Sequence, residues 1–106
     1  MIFKVKYSQR AADDLDEIIR YINDELCNPQ AAERFYNAAN KKLGLMQENP
    51  YMFPLYHDKR LKDKVVRFAV IGNYLMFYMV DNDSSIINIA RILYGSRDIP
   101  LVENLL

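Results

Sequence analysis

Three apolar runs rich in β-branched and aromatic residues follow one another in the last third of the chain: Val65–Ile71, Tyr74–Val80 and Ile86–Tyr94. Gly72-Asn73 separates the first two, and Asp81-Asn82-Asp83-Ser84-Ser85 separates the second from the third. Gly, Asn, Asp and Ser supply turn conformations that strands do not, so this spacing predicts an antiparallel meander. The middle run, YLMFYMV, has no polar alternation, which predicts a central strand covered on both faces. At the other end of the chain, IFKVKY (Ile2 to Tyr7) interleaves apolar residues with Lys4 and Lys6. That pattern predicts a half-buried strand at a sheet edge, where lysines discourage pairing with other chains.

Two helical patterns lie between these strands. Ser8 is placed as an N-cap. Asp13, Asp14, Asp16 and Glu17 are read as crowding the early turns of the first helix, where its dipole favours negative charge. Leu15, Ile18, Ile19, Ile22 and Leu26 form one apolar stripe along it. Asn28 and Pro29 then supply the cap and first residue of a second helix, carried through Ala32, Phe35, Ala39, Leu43 and Met46 and stopped before Asn49-Pro50. So short a connection makes a helical hairpin, and only the sheet can cover its apolar stripes. Pro50 to Lys64 is the one long irregular stretch, with its aromatic start tied down and its HDKRLKDK half exposed. Gly95-Ser96-Arg97-Asp98 makes a turn, and a short helix is expected within Ile99–Leu106, after Pro100. The order β-α-α-β-β-β is that of an α+β fold, a helical hairpin packed on a small, mostly antiparallel sheet in a single domain over 1–106.

Composition narrows the chemistry. The lone Cys27 excludes an intramolecular disulfide and suits a reducing, cytoplasmic setting. Zinc-ligand spacings, Gly-rich phosphate loops and Ser/His/Asp arrangements are absent, so no cofactor is expected. MIFKVKYS is too short and too charged for a signal peptide, and no apolar stretch approaches the ~20 residues that span a bilayer. Net charge is zero but unevenly distributed. Residues 8–26 hold six acids (Asp13, Asp14, Asp16, Glu17, Asp24, Glu25) against Arg10 and Arg20. Residues 57–67 hold five bases (Lys59, Arg60, Lys62, Lys64, Arg67) against Asp58 and Asp63. Such polarity can present a positive patch to a phosphate backbone or an acidic partner; equally, both segments can be plain solvated surface.

Five segments, taken in order, resemble the RelE/ParE superfamily, the toxins of type II toxin–antitoxin modules, also called plasmid stabilisation proteins. They are YSQRAADDLDEIIRYI (Tyr7 to Ile22), NPQAAERF (Asn28 to Phe35), ENPYMFPLYHDKRL (Glu48 to Leu61), VRFAVIGNYLMFYMV (Val66 to Val80) and IARILYGSRDIP (Ile89 to Pro100). The resemblance spans nearly the whole chain and implies the same β-α-α-β-β-β fold. It also implies neutralisation by a cognate antitoxin, alone or within a homodimer or heterotetramer. ParE-like members of the family act on DNA gyrase, whereas RelE-like members are ribosome-dependent mRNA endonucleases. A third form is an inactive relative that only binds antitoxin as a co-repressor.

Metal-free RNA cleavage needs a base near the 2′-OH, cations on the phosphate and an acid near the leaving oxygen. By resemblance to the nucleases, Lys59, Arg67, Arg91 and Tyr94 are the candidate catalytic residues, and His57, Arg60, Lys62 and Arg97 the candidate target-binding ones. His57 or Lys59 would be the base, Arg67 and Arg91 would hold the phosphate, and Tyr94 would stack on a nucleobase or donate a proton. An arginine inside a short strand needs solvent or a partner, so a structural pair with Asp or Glu competes with the phosphate reading of Arg67 and Arg91. Tyr74-Leu75-Met76 lacks the arginine that RelE-like nucleases carry at the start of the central strand, and VENLL lacks a His-Tyr ending. ILYGSRDIP looks more like the ParE side, which makes gyrase the first expectation and mRNA the second.

Overall fold

The computed structural model describes residues 2–61 and 63–95, with only the backbone of Arg60. Its order is β1 (Lys4–Tyr7), α1 (Gln9–Arg20), a π-helical turn (Tyr21–Glu25), α2 (Pro29–Glu48), a short 3-10 turn (Lys59–Leu61), β2 (Arg67–Ile71), β3 (Tyr74–Asp81) and β4 (Ile86–Tyr94). The predicted α+β order is the observed one. The expected C-terminal helix, together with Arg97 and Lys62, lies outside the described residues.

Local chemistry sets the helix starts. The Ser8 hydroxyl accepts the Ala11 N–H at 3.0 Å, and Asn28 Oδ1 accepts that of Ala31 at 3.1 Å. Each removes one orphan donor of a first turn. The first turn of α1 contains no acid, contrary to the dipole argument from sequence; the acids begin one turn later, where Asp14 has another task described below. The predicted stripe also ends early. After Arg20 the helix widens into the π turn, and Leu26 projects into solvent instead of extending the buried face. Cys27, at φ 49°, then reverses the chain into α2; a non-glycine residue in this left-handed region is held by its surroundings.

The sheet runs β1-β4-β3-β2. β2, β3 and β4 form the antiparallel meander, while β1 pairs in parallel with β4 over Lys4–Tyr7 and Ile86–Ile89. Two strands are therefore interior, β3 and β4, where the apolar pattern predicted one. Met76, Phe77 and Tyr78 are fully buried in sequence, and since neighbours on a strand point to opposite faces, both faces of β3 are covered. The hairpin covers one face through Ile18, Ile22, Phe35, Ala39 and Met46 against Met76, Tyr78, Ile87 and Ile89. Leu61, Val66 and Tyr56 cover the other, packed on Phe68 and Phe77, while Phe53 packs on the hairpin side. Leu61 corrects the expectation of an exposed HDKRLKDK: its neighbours are charged, but the 3-10 turn aims the leucine inward. Ile2 and Val65, expected in strands, lie outside them and are exposed.

Candidate functional site

The two strand arginines are both engaged, each in its own way. Arg91 Nε donates to Asp14 Oδ2 at 2.7 Å and Nη2 donates to Asp14 Oδ1 at 3.0 Å, a bidentate pair. The same Oδ2 accepts the Ile92 N–H at 2.9 Å. β1 ends at Tyr7, opposite Ile89, so beyond that point β4 would be an open edge. Ser8 and Asp14 close it: the Ser8 hydroxyl donates to the Ala90 carbonyl at 2.9 Å, and Asp14 takes Ile92. The hydrogen bonds that Arg91 donates to Asp14 raise its pKa above the ordinary value; burial pulls against this, and the charges of Asp14 and Glu17 reinforce it.

Arg67, at the start of β2, holds the irregular segment in place. Its Nη1 donates to the carbonyls of Phe53 at 2.8 Å and Tyr51 at 3.2 Å, and its guanidinium lies 5.3 Å from the Tyr51 ring centroid. Beside it the buried Tyr78 hydroxyl donates to the Pro50 carbonyl at 2.7 Å. Burial pushes this phenol up to about 12, with the Arg67 charge opposing the rise. Arg67 pairs with Tyr78 and Arg91 with Phe77. β3 lies between the two strands and each guanidinium is held by its own partners, so they are not gathered at one phosphate.

The remaining sequence candidates are spread apart. His57 is exposed, as is Lys59 at the opening of the 3-10 turn, both in the segment covering the Phe77 face. Of Arg60 the structure places only the backbone. Tyr94 closes β4 opposite Tyr74, with ring centroids 5.3 Å apart and nearly perpendicular. Tyr74 in turn packs edge-on against Phe35 of α2 at 5.3 Å. Among the described residues no cluster of three or more His, Cys, Asp or Glu could hold a metal ion, and no helix is long and apolar enough to cross a membrane.

What the sequence reading missed is a cleft of about 550 Å³ between the π turn and the β3–β4 end of the sheet, lined by Tyr21, Ile22, Leu26, Asn73, Tyr74 and Tyr94. It shares Tyr21, Tyr74 and Tyr94 with a smaller hollow of about 250 Å³ that reaches Asp14, Glu17 and Arg91. The meander offered one signal: runs starting at Tyr74 and ending at Tyr94, joined by one turn, place those tyrosines opposite each other. Nothing in the sequence placed Tyr21 beside them.

The family model described as "ParE toxin of type II toxin-antitoxin system, parDE" matches residues 5–99. Curated protein sequences give no significant match. Among solved structures, the chain is similar to one from the chromosomal ParDE toxin–antitoxin system of P. aeruginosa, with a TM-score of 0.68 at 19% identity over 88% of this chain and 96% of that one. It is similar to a chain of the archaeal RelE–RelB complex from Pyrococcus horikoshii, with a TM-score of 0.62 at 17% identity over 92% and 100%. It is also similar to a chain of the RelBE2 toxin–antitoxin complex from Mycobacterium tuberculosis, with a TM-score of 0.58 at 16% identity over 89% and 99%. At these identities the structures speak for the fold.

Proposed function

The chain belongs to the ParE toxin family of type II toxin–antitoxin systems, and from this membership we propose that it arrests growth in the cytoplasm by surface contact with DNA gyrase, held in check by a cognate antitoxin. The observation that carries the choice of gyrase over mRNA is the engagement of the strand arginines. Phosphoryl chemistry needs cations aimed at a phosphate. Here Arg91 is spent on Asp14 and a strand edge, and Arg67 on two loop carbonyls. The two arginines also lie on strands separated by β3, which further favours a contact-based toxin. The structures similar to this chain come from toxin–antitoxin systems and complexes, which supports an antitoxin as the physiological partner.

The test is induction without antitoxin in growing cells, following mRNA integrity and DNA breaks together. The gyrase reading expects DNA breaks with intact mRNA. Rapid cleavage of translated mRNA with intact DNA would overturn it and return attention to Lys59, Arg67, Arg91 and Tyr94. In that case Arg67→Ala and Arg91→Ala should abolish cutting. Absence of any growth defect would point instead to an inactive antitoxin-binding co-repressor.

A further inference from the structure

We propose that the tyrosine cleft is the surface that meets the target, and that it receives an apolar or aromatic side chain flanked by Lys or Arg from the basic surface of a DNA-handling protein. The inference rests on the gyrase reading and names the place and chemistry of its contact.

Three observations converge on the cleft. Its rim is apolar and open: Tyr21 is 49% exposed, Leu26 55% and Tyr94 40%. Tyrosine gives large contact area at low conformational cost and dominates the energetics of many interfaces. The floor is rigid, since Tyr74 is wedged edge-on between Phe35 and Tyr94, so little order is lost on binding. A volume of about 550 Å³ accommodates a bulky side chain with room for its neighbours. Second, Tyr21 and Ile22 sit in the π turn and Leu26 caps it. π-helical turns are frequent at functional sites, and here one closes α1. This one turns Leu26 away from the core and toward the cleft.

The third observation is charge, and it selects the occupant. Glu17 and Asp14 lie at the α1 side of the adjoining hollow, and Arg91, the base there, is already paired with Asp14. Glu17 is exposed at this hollow, whereas Asp16 lines a separate hollow together with Arg20 and Tyr36. An exposed carboxylate beside an aromatic cleft is complementary to Lys or Arg next to an apolar anchor. Proteins that handle DNA carry such basic surfaces.

The decisive experiment measures inhibition of purified gyrase supercoiling by the full chain and its Tyr21→Ala, Tyr94→Ala and Glu17→Lys variants. Tyr36→Ala, an exposed tyrosine outside the cleft, serves as control. Thermal unfolding and affinity for the antitoxin are measured on each. The expected result is a loss of potency of about tenfold or more for the three cleft variants, with Tyr36→Ala, folding and antitoxin affinity unchanged. Wild-type inhibition should also weaken as ionic strength rises, because the rim charges are screened. Cleft variants that inhibit as well as wild type would overturn the inference while leaving the gyrase reading intact. A wild-type chain that does not inhibit gyrase would overturn that reading itself. Parallel loss of antitoxin affinity would assign the cleft to the antitoxin, and loss of a homodimer in the variants would assign it to a second copy; either overturns the target assignment.

Discussion

Tyr78 links two otherwise separate parts of the molecule. Its ring lies in the core between sheet and helices, and its hydroxyl donates to Pro50 at the head of the irregular segment. Burial holds the proton on, raising the pKa from 10.0 to about 12. In the unfolded chain the same phenol ionises near 10. Between these values the unfolded state has lost a proton that the folded state keeps, so stability falls as pH rises. The contribution is complete below about pH 10 and gone above about 12. Tyr78→Phe removes this titration but leaves the Pro50 carbonyl without its donor, at a cost of about 1–2 kcal/mol. Thermal unfolding between pH 9 and 12.5 should therefore show wild type starting above Tyr78→Phe, then falling to meet it or drop below it with rising pH. The other tyrosines affect both proteins alike. Parallel curves would mean that Tyr78 ionises as freely in the fold as outside it.

At the scale of elements, α1 substitutes for a strand. β1 is four residues long, β4 nine, and the unpaired remainder of β4 is closed by Ser8 and Asp14. A bulge at this point, where Phe77 opposes Arg91 and Tyr78 opposes Ile89, leaves Ala90 as the extra residue and redirects β4 toward the helix. Asp14→Ala would strand both the Arg91 guanidinium and the Ile92 N–H in a site where the two side chains are only 18% and 12% exposed. The expected cost is about 2–4 kcal/mol, or a fall of roughly 10 °C or more in Tm for a chain of this size. Asp14→Asn, which still offers Ile92 an acceptor, should lose less. Unfolding of Asp14→Ala within a degree or so of wild type would show that the pair holds nothing. The sequence carried the question here but not the answer. An arginine inside a strand demands a partner, yet Asp14 is 77 residues away and sits among acids that suit a helix dipole equally well. Caps at Ser8 and Asn28 were legible because they act within three residues. The parallel partner of β1 was not, since alternation identifies a strand and says nothing of its neighbour.

On the scale of the whole molecule, one sheet is covered by two kinds of structure. The hairpin side is helical and its stripes announce themselves at fixed spacing. The other side is covered by Tyr56, Leu61 and Val66, whose contribution was hard to read: Leu61 is a single apolar residue among charges, and its burial depends on a three-residue turn. The tyrosine cleft was hidden for a related reason, because it joins α1 to the far end of β3 and β4, which only tertiary packing brings together. Arg67 fastens the irregular segment to the sheet by way of the Tyr51 and Phe53 carbonyls, and the segment then pairs with the chain entering β2 through Tyr56 N–H to Val66 O at 2.7 Å and Phe68 N–H to Pro54 O at 3.0 Å. If the arginine is a fastener, Arg67→Ala should free this segment without opening the rest. Native-state hydrogen exchange should then show the Tyr56 and Phe68 amides speeding up by about tenfold or more, a loss of roughly 1.4 kcal/mol in local opening, while amides shared between β3 and β4 change much less. Equal acceleration at every site would mean that Arg67 supports the global fold. No acceleration at Tyr56 and Phe68 would free the residue for the phosphate role that its present contacts argue against.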